Sequence, residues 1–500
     1  MIFIPEMLVK VATDQPDKEA LCLRDKRLTY KEFKELSDQT AALLISKGIV
    51  KGDRVGIFSS KCIDEIVVLL AIMKIGAVFV HINPYFKEEQ LRHIVLDCEV
   101  KALFLHKSKE GTFQKADITD KIPMIFPLEI DKLTHGAPVV SIDTACQADM
   151  DDPAAILYTS GSTGRPKGIV VSHRIFYQST VVSAELLHNN ADDRIISLTP
   201  FSFDGSLSQL FTAIYTGGVL VLQDSLFPKD IVTTMLHEQI TGVHAVPSFW
   251  RMMLQRHSPL STHQYPHLRY VSVIGESFIH EDIVRLKQIF QNTEFYMMYG
   301  TTEAFRSTCL LPDQFNRKFP SVGKPLPGVE LSILNADGLP CKAYEIGEIV
   351  HRGVFISPGY WNLPELSATT FKGQALFTGD LGWLDDEGFL YYSERKDALL
   401  KIMGIRISPG EIEDCLRKLP GVREAVIVGV NQNQVCSIKA VIVREEDSVL
   451  TAEEVLRYCK SQLPHYMVPH HVEFRAELPR TATLKINRSQ LGTSEGGLLV

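Results

Sequence analysis

The stretch Tyr158-Thr-Ser-Gly-Ser-Thr-Gly-Arg-Pro-Lys-Gly168 packs hydroxyls, glycines and two cations into one short segment. Glycines such as Gly161 and Gly164 let successive backbone N–H groups point inward as a nest for an anion. Thr159, Ser160, Ser162, Thr163 and Lys167 add donors and positive charge. The chemistry implied is a cradle for a polyphosphate. A mononucleotide P-loop is disfavoured, because Pro166 precedes the lysine and no hydroxyl residue follows it. A plain Gly/Ser linker is the alternative, and it would have no use for the Pro-Lys-Gly ending.

Other reactive side chains are dispersed. The nine cysteines are odd in number and widely spaced, which excludes C-x-x-C knuckles and argues for reduced thiols. The sixteen histidines show no H-E-x-x-H pattern, so no dedicated metal cage is expected. Lys and Arg total 52 against 60 for Asp and Glu, and a net charge of −8 offers no basic field for nucleic acid. The most apolar window, Ile66 to Ile82, is interrupted by Lys74 and Gly76 and falls short of the ~20 residues of a membrane span. Met1 to Leu8 carries Glu6 and lacks the marks of a secretory leader, so a cytoplasmic protein with no membrane partner is expected.

A phosphate cradle needs a scaffold, and 500 residues exceed the roughly 100–200 of one domain. Phe33, Leu36, Leu43 and Leu44 share a helical face between Leu28 and the stop at Gly48, followed by a strand at Arg54–Phe58, a helix at Asp64–Lys74 and a strand at Ala77–Ile82. Strands recur at Ala102–His106, Ala154–Tyr158, Ile195–Leu198, Val219–Gln223, Val271–Ile274 and Phe295–Met298, among helical patterns such as Ile279–Ile289. Such alternation predicts α/β layers on parallel sheets. From Gly328 to about Tyr392, short strands between Gly, Pro, Asp and Asn turns predict a β-rich subdomain. Beyond Arg395 come a helix at Pro409–Leu419, strands at Glu424–Val430 and Ser437–Val443, and a helix at Ala452–Gln462, a set sized for a separate lid. Thr493 to Val500 reads as a frayed tail.

Tyr158 to Gly168 resembles the signature of the adenylate-forming superfamily, which includes acyl- and aryl-CoA synthetases, amino-acid adenylation domains of nonribosomal peptide synthesis and firefly luciferase. The likeness runs from Leu28-Thr-Tyr30 to Lys485. It takes in Tyr299-Gly-Thr-Thr-Glu303, Gly347-Glu-Ile-Val-His-Arg-Gly353, Gly359-Tyr-Trp-Asn362, Phe377-Thr-Gly-Asp-Leu-Gly382, Glu394-Arg-Lys-Asp397, Gly404 to Glu413 and Leu478-Pro-Arg-Thr481. The resemblance implies an α/β fold in two parts. Residues 1–395 form a large N-terminal domain of two αβ-layered subdomains of parallel type plus the β-rich subdomain at about 328–395. Residues 396–500 form a small, mobile α+β lid carrying Lys485, hinged at Asp397, with Gly404 in a loop of its second pose.

The resemblance also implies ATP and Mg2+ as cofactors and assigns roles. Glu303 resembles the magnesium ligand, a hard carboxylate oxygen for a hard cation, with Gly300, Thr301 and Thr302 beside the phosphates and Thr302 donating to the α-phosphate. Tyr299 is similar to the residue that stacks on adenine, and Asp380 to the acceptor of both ribose hydroxyls, with Arg395 near the same sugar. Lys485 resembles the lysine that bridges substrate carboxylate and ribose-side oxygen during adenylation. Leu484 stands where the family has glycine. Taken alone, Glu303 is a loop carboxylate, Tyr299 core packing and Asp380 a turn former.

Phe201-Ser-Phe-Asp-Gly-Ser-Leu-Ser208 is similar to the stretch of amino-acid adenylation domains in which an aspartate pairs with the substrate ammonium, the place of Asp204. The alternative is a turn or N-cap aspartate. Matching the other specificity positions gives Gly205, Ser208, Ala245, Ser272, Ile274, Met298, Arg306 and Ser307 as pocket lining. Arg306 suits a second substrate carboxylate, which points to an aspartate-like or β-amino-acid-like compound; pairing with an internal acid is the other reading. The expected reaction is ATP-dependent formation of aminoacyl-AMP and pyrophosphate, then transfer to a thiol. Too few residues follow Lys485 for a fused carrier domain, so a separate carrier protein or CoA is the expected acceptor. Acyl- or aryl-CoA synthesis, and a silent nucleotide-binding scaffold, remain as alternatives.

Overall fold

The computed structural model describes residues 1–130, 132, 148–160, 166–275, 278, 280–396, 400–402, 405–407, 409–432, 435–463, 467–481 and 486–491. It divides into two compact units, one of Met1–Leu331 with Val350–Thr378, the other of Ser332–Ile349 with Gly379–Val500. The fold is α/β, as the alternation predicts.

Two sheets build the first unit. The six-stranded sheet runs in the order Met124–Pro127, Ala102–Leu105, Arg54–Phe58, Val78–Ile82, Pro153–Ser160, Pro166–Ser172. Its strands are parallel except the last pair, an antiparallel hairpin. The nine-stranded sheet centres on Glu294–Tyr299, Tyr270–Ile274, Gly242–Ala245, Arg194–Ser197, Val219–Leu222 and Glu19–Leu23, all parallel, while Thr308–Leu310 at one margin and Lys26–Thr29 at the other pair antiparallel. The expectation of parallel sheets therefore holds at the centres and fails at the margins. Central strands are covered on both faces and read as apolar runs, whereas a hairpin needs only a short connection.

The helix between Arg54–Phe58 and Val78–Ile82 spans Ile63–Lys74 and is apolar all round, so it is buried all round. Its two buried charges are paired, Lys74 with Asp38 and Glu65 with His81 at 2.9 Å. Thr29 caps the Tyr30–Ser46 helix by accepting from Glu32 N, so this helix starts two residues later than the pattern from Leu28 suggests. An unanticipated helix, Ile4–Asp14, opens the chain, with Pro5 in its first turn.

Phe176 joins the two layers. It stacks on Phe79 of the first sheet (5.9 Å between centroids) and meets Phe211 (4.9 Å) and Phe305 (5.6 Å) edge-on. Each such pair adds about 0.5–1.5 kcal/mol to the burial itself. Phe305 is held at φ +52°, a left-handed conformation costing about 1–2 kcal/mol, and the Phe176 contact helps offset it.

In the second unit Val422–Gln432 and Val435–Arg444 pair antiparallel, and His471–Arg475 adds parallel to the latter. Helices Pro409–Arg417 and Ala452–Gln462 pack through Ile412, Leu416, Val455 and Cys459 into one apolar core with Ile427, Ala440 and Ile442. Asp380–Leu384 and Leu390–Arg395 form a separate antiparallel pair. No helix among the described residues is long and apolar enough to cross a membrane.

Candidate active site

Among the described site residues of the first unit, Thr159, Ser160 and Lys167 lie on the Pro153–Ser160/Pro166–Ser172 hairpin, Asp204, Gly205 and Ser208 at the start of the Asp204–Thr216 helix, and the others in or just beyond the central strands, most at their carboxyl ends. Carboxyl ends are where the loops of an open α/β sheet form a crevice. At the opposite, amino ends the chain is fastened instead. Asp193 accepts from Arg269 (2.7 and 2.9 Å), Thr241 (2.7 Å), Asn189 (2.9 Å) and the Asn190 amide (2.9 Å), tying together the starts of three strands. Burial opposes its charge, but the Arg269 and Thr241 hydrogen bonds prevail and hold its carboxyl below the usual range.

The chain leaves Glu294–Tyr299 through Gly300 and doubles back, so that Ser307 N donates to Tyr299 O at 2.8 Å. A Cβ at Gly300 would lie 2.5 Å from Phe305 O and 2.8 Å from Arg306 Cα, so only glycine permits this turn. The turn exposes Thr301, Thr302 and Glu303 in part and buries Tyr299. Thr301 Oγ1 is buried without a hydrogen-bond partner among the described residues. Glu303 Oε1 accepts from the Tyr360 hydroxyl at 2.8 Å. Among the described residues the other carboxylate oxygen has no hydrogen-bond or ion-pair partner. One carboxylate oxygen held and one open is a donor set that suits a hard cation.

Thr159 pairs with Lys167 across the hairpin, and Ser160 with Pro166. Lys167 Nζ lies 5.1 Å from the centroid of the Tyr360 ring. Gly168 is required by packing: a Cβ there would meet Ile156 at 2.7 Å and Trp361 at 3.2 Å. Gly161, Ser162, Thr163 and Gly164, which join the two strands, lie outside the described residues, as do Asp397, Gly404, Leu484, Lys485 and the tail from Thr493.

Arg306 is buried, 6% exposed, and donates from Nη2 to Ser208 Oγ (2.9 Å) and from Nη1 to Met298 Sδ (3.0 Å). Among the described residues no carboxylate makes an ion pair with it. Burial lowers its pKa, and the nearby Asp204 opposes that. Asp204 is half-buried at the first position of the Asp204–Thr216 helix, whose N-cap is Phe203. Asp204 thus follows the N-cap position by one residue and is an acid in the first turn of the helix.

His244 completes this wall and escaped the sequence reading. Its Nδ1 pairs with Ser272 Oγ at 2.8 Å, and a Cβ on Gly205 would sit 3.0 Å from its Nε2. Burial and the Arg306 charge push its pKa down to about 3, so the imidazole is neutral. Strand register explains the miss. His244 pairs with Ser272, and Ile274 with Met298, on one face of the sheet, whereas Ala245 pairs with Val273 on the other. The structure thus puts His244, not Ala245, on the face of Ser272, Ile274 and Met298. Ser307 is also turned inward: its hydroxyl meets His351 Nδ1 at 2.8 Å, while His351 Nε2 donates to Val354 O at 2.8 Å.

In the second unit Asp380, 4% exposed, is the cross-strand partner of Arg395, with Oδ1 accepting from Nη1 at 3.2 Å. One further acidic cluster exists among the described residues, Glu19, Cys22 and Glu238. Arg27 and Arg194 already occupy it, so it is an ion-pair network and no metal site.

Comparison with known proteins supplies the family. A model described as AMP-binding enzyme matches residues 8–361, and one described as AMP-binding enzyme C-terminal domain matches residues 411–485. A linear gramicidin synthase polypeptide of Brevibacillus parabrevis is 30% identical over 495 residues, 97% of this chain and only 6% of that much longer protein. The 2-succinylbenzoate–CoA ligase of Bacillus cereus is 29% identical over 98% of both chains. The structure of o-succinylbenzoate coenzyme A synthetase from Bacillus subtilis with ATP and magnesium superimposes with a TM-score of 0.86 at 27% identity, covering 97% of this chain and 98% of that one. With both family models matched in order, and with an α/β fold shared over nearly the full length, the chain belongs to the AMP-binding enzymes, the adenylate-forming superfamily.

Proposed function

We propose that this adenylate-forming ligase activates an amino acid with an acidic arm as its aminoacyl-AMP, releases pyrophosphate and passes the acyl group to a thiol. The observation that carries the reading is Arg306, a buried guanidinium whose hydrogen-bond partners among the described residues are Ser208 and Met298. A buried guanidinium that no carboxylate contacts directly, with only the field of Asp204 opposing its desolvation, would gain from a substrate carboxylate. Asp204 takes the substrate ammonium, and His244 with Ser272 gives the wall a neutral polar face.

In this reading Tyr299 would take the adenine, and Thr159 to Gly164, Lys167 and the orphaned hydroxyl of Thr301 would take the phosphates; the ribose role of Asp380 and Arg395 rests on the family resemblance. Thr302 donates to the α-phosphate. Glu303 has the open oxygen a magnesium ion would take, and the ion would neutralise charge on the departing pyrophosphate. The substrate carboxylate attacks the α-phosphorus, and the protein supplies orientation and charge rather than a covalent nucleophile. By the family resemblance residues 396–500 would be the lid, hinged at Asp397 and carrying Lys485 for the adenylation step. The likeness to a gramicidin synthase supports a carrier-protein thiol as acceptor, and the likeness to a CoA ligase supports CoA. Free thiols at the described cysteines fit a cytoplasmic setting.

A second reading is a CoA synthetase for a dicarboxylic acid without an amine. The full-length likeness to 2-succinylbenzoate–CoA ligase favours it, and Arg306 would serve it equally. Pyrophosphate exchange across α-amino, β-amino, dicarboxylic, aryl and fatty acids decides. Acidic amino acids working best supports the first reading, amine-free diacids working best supports the second, and no exchange with any acid leaves a nucleotide-binding scaffold.

A further inference from the structure

Tyr360 touches two predicted site residues that lie on different elements. Its hydroxyl donates to Glu303 Oε1 at 2.8 Å, and its ring faces Lys167 Nζ at 5.1 Å. Neither Glu303 nor Lys167 has an ion-pair partner among the described residues, so Tyr360 is the side chain that orients both. Sequence reasoning placed Tyr360 inside a matched motif and gave it no role.

The tyrosine itself is fixed from several directions. It is 8% exposed, its backbone N donates to Ser367 Oγ at 2.9 Å, and its ring meets Phe371 edge-on at 5.4 Å. The surrounding segment is laced to the same two partners. Trp361 N donates to Gly168 O at 2.7 Å and Val170 N to Gly359 O at 3.0 Å, along the strand that carries Lys167. On the other side Ser357 N donates to Glu303 O at 2.8 Å, and Ser357 Oγ to Val170 O at 2.6 Å. Ser357 to Trp361 is thus an extra edge segment that sets the distance between the hairpin and the Glu303 turn.

We infer that Tyr360 is a positioning residue of the nucleotide site: its hydroxyl fixes one oxygen of Glu303 and leaves the other open for the metal, while its ring holds Lys167 toward the phosphates. This rests on the assignment of Glu303 and Lys167 proposed above. A hydroxyl donating to a carboxylate is charge-assisted and directional, and a partner of this kind governs metal affinity through the ligand it orients. The ring attraction to a lysine acts without metal.

The two contributions separate by experiment. ATP binding to the full chain is measured calorimetrically over a Mg2+ series and again in EDTA. Tyr360→Phe removes only the hydroxyl and is expected to raise the Mg2+ midpoint by about 10- to 100-fold while leaving binding in EDTA unchanged. Tyr360→Leu removes the ring as well and is expected to weaken ATP binding in EDTA too. Glu303→Gln is the reference. If it shifts the Mg2+ midpoint and Tyr360→Phe does not, the positioning role is wrong and the function proposed above stands. If Glu303→Gln itself has no effect, the assignment of Glu303 fails. Equal weakening by Tyr360→Phe with and without Mg2+ marks general packing and also overturns the inference. Should Tyr360→Phe fail to fold, a fluorinated tyrosine at 360 keeps the shape and ionises at lower pH. Its Mg2+ affinity must change as that hydroxyl loses its proton, and a profile identical to wild type overturns the role.

Discussion

Arg306 Nη2 donates to Ser208 Oγ at 2.9 Å, so the turn that follows the Glu294–Tyr299 strand is pinned to the Asp204–Thr216 helix by a cation that makes no ion pair among the described residues. Arg306→Ala is expected to lower kcat/KM for the acidic-arm substrate by roughly 30- to 1000-fold, about 2–4 kcal/mol, and to leave the rate with a neutral analogue within a few-fold. Arg306→Lys keeps the charge and loses the planar fork, so it should fall between. Equal losses on both substrates would remove Arg306 from substrate recognition.

Asp204→Asn keeps the shape of the helix start and removes its charge. Pyrophosphate exchange with amino acids should drop by at least about 100-fold, since a buried ammonium then lacks its counter-charge. Exchange with the amine-free analogue should be unchanged or faster. An amino-acid rate unaffected by the substitution would leave Asp204 a helix-dipole residue only.

His173 is buried, and among the described residues both of its ring nitrogens lack a hydrogen-bond partner while Phe3 meets its ring at 5.1 Å. Burial pushes its pKa from 6.5 down to about 4, with Asp152 opposing. Between those values the unfolded chain binds the proton and the folded chain does not, so stability falls as pH drops through this window. The loss amounts to about 2–4 kcal/mol. Urea unfolding at pH 7.5 and 4.5 measures it, and His173→Phe should flatten that part of the acid limb. An equally steep limb in the variant would show that other groups set it.

Arg269→Ala leaves Asp193 buried with no cation. It should cost about 3–5 kcal/mol in denaturant unfolding while the KM for substrate stays near wild type, because the network lies at the strand ends remote from the pocket. A substitution that weakened substrate binding without lowering stability would contradict that separation.

The central strands were legible because parallel, doubly covered strands are nearly continuous apolar runs, as at Arg54–Phe58 and Val219–Leu222. Pro166–Ser172 was not. Pro-Lys-Gly reads as a turn, and it is strand here because Pro153–Ser160 on one side and Gly359–Trp361 on the other supply its hydrogen bonds. Proline and glutamate interrupt the apolar stretch of Ile4–Asp14 and hide its period, although both favour a first helical turn. His244 was displaced by one position, which in a strand is the difference between two faces. Tyr360 was invisible in its role because its partner is 57 residues away and only tertiary contact brings them together. What local pattern cannot encode is which distant side chain a loop residue meets.

Asp193 ties together the starts of the Arg194–Ser197, Gly242–Ala245 and Tyr270–Ile274 strands, and His244, Ser272 and Ile274 lie further along the last two. Rebuilding the pocket for a different acid therefore touches none of the contacts by which Asp193 clamps these strands together. Redesign of specificity here can proceed with large changes of side-chain charge and volume before tolerance runs out, and the first residue to protect is an aspartate that never meets the substrate.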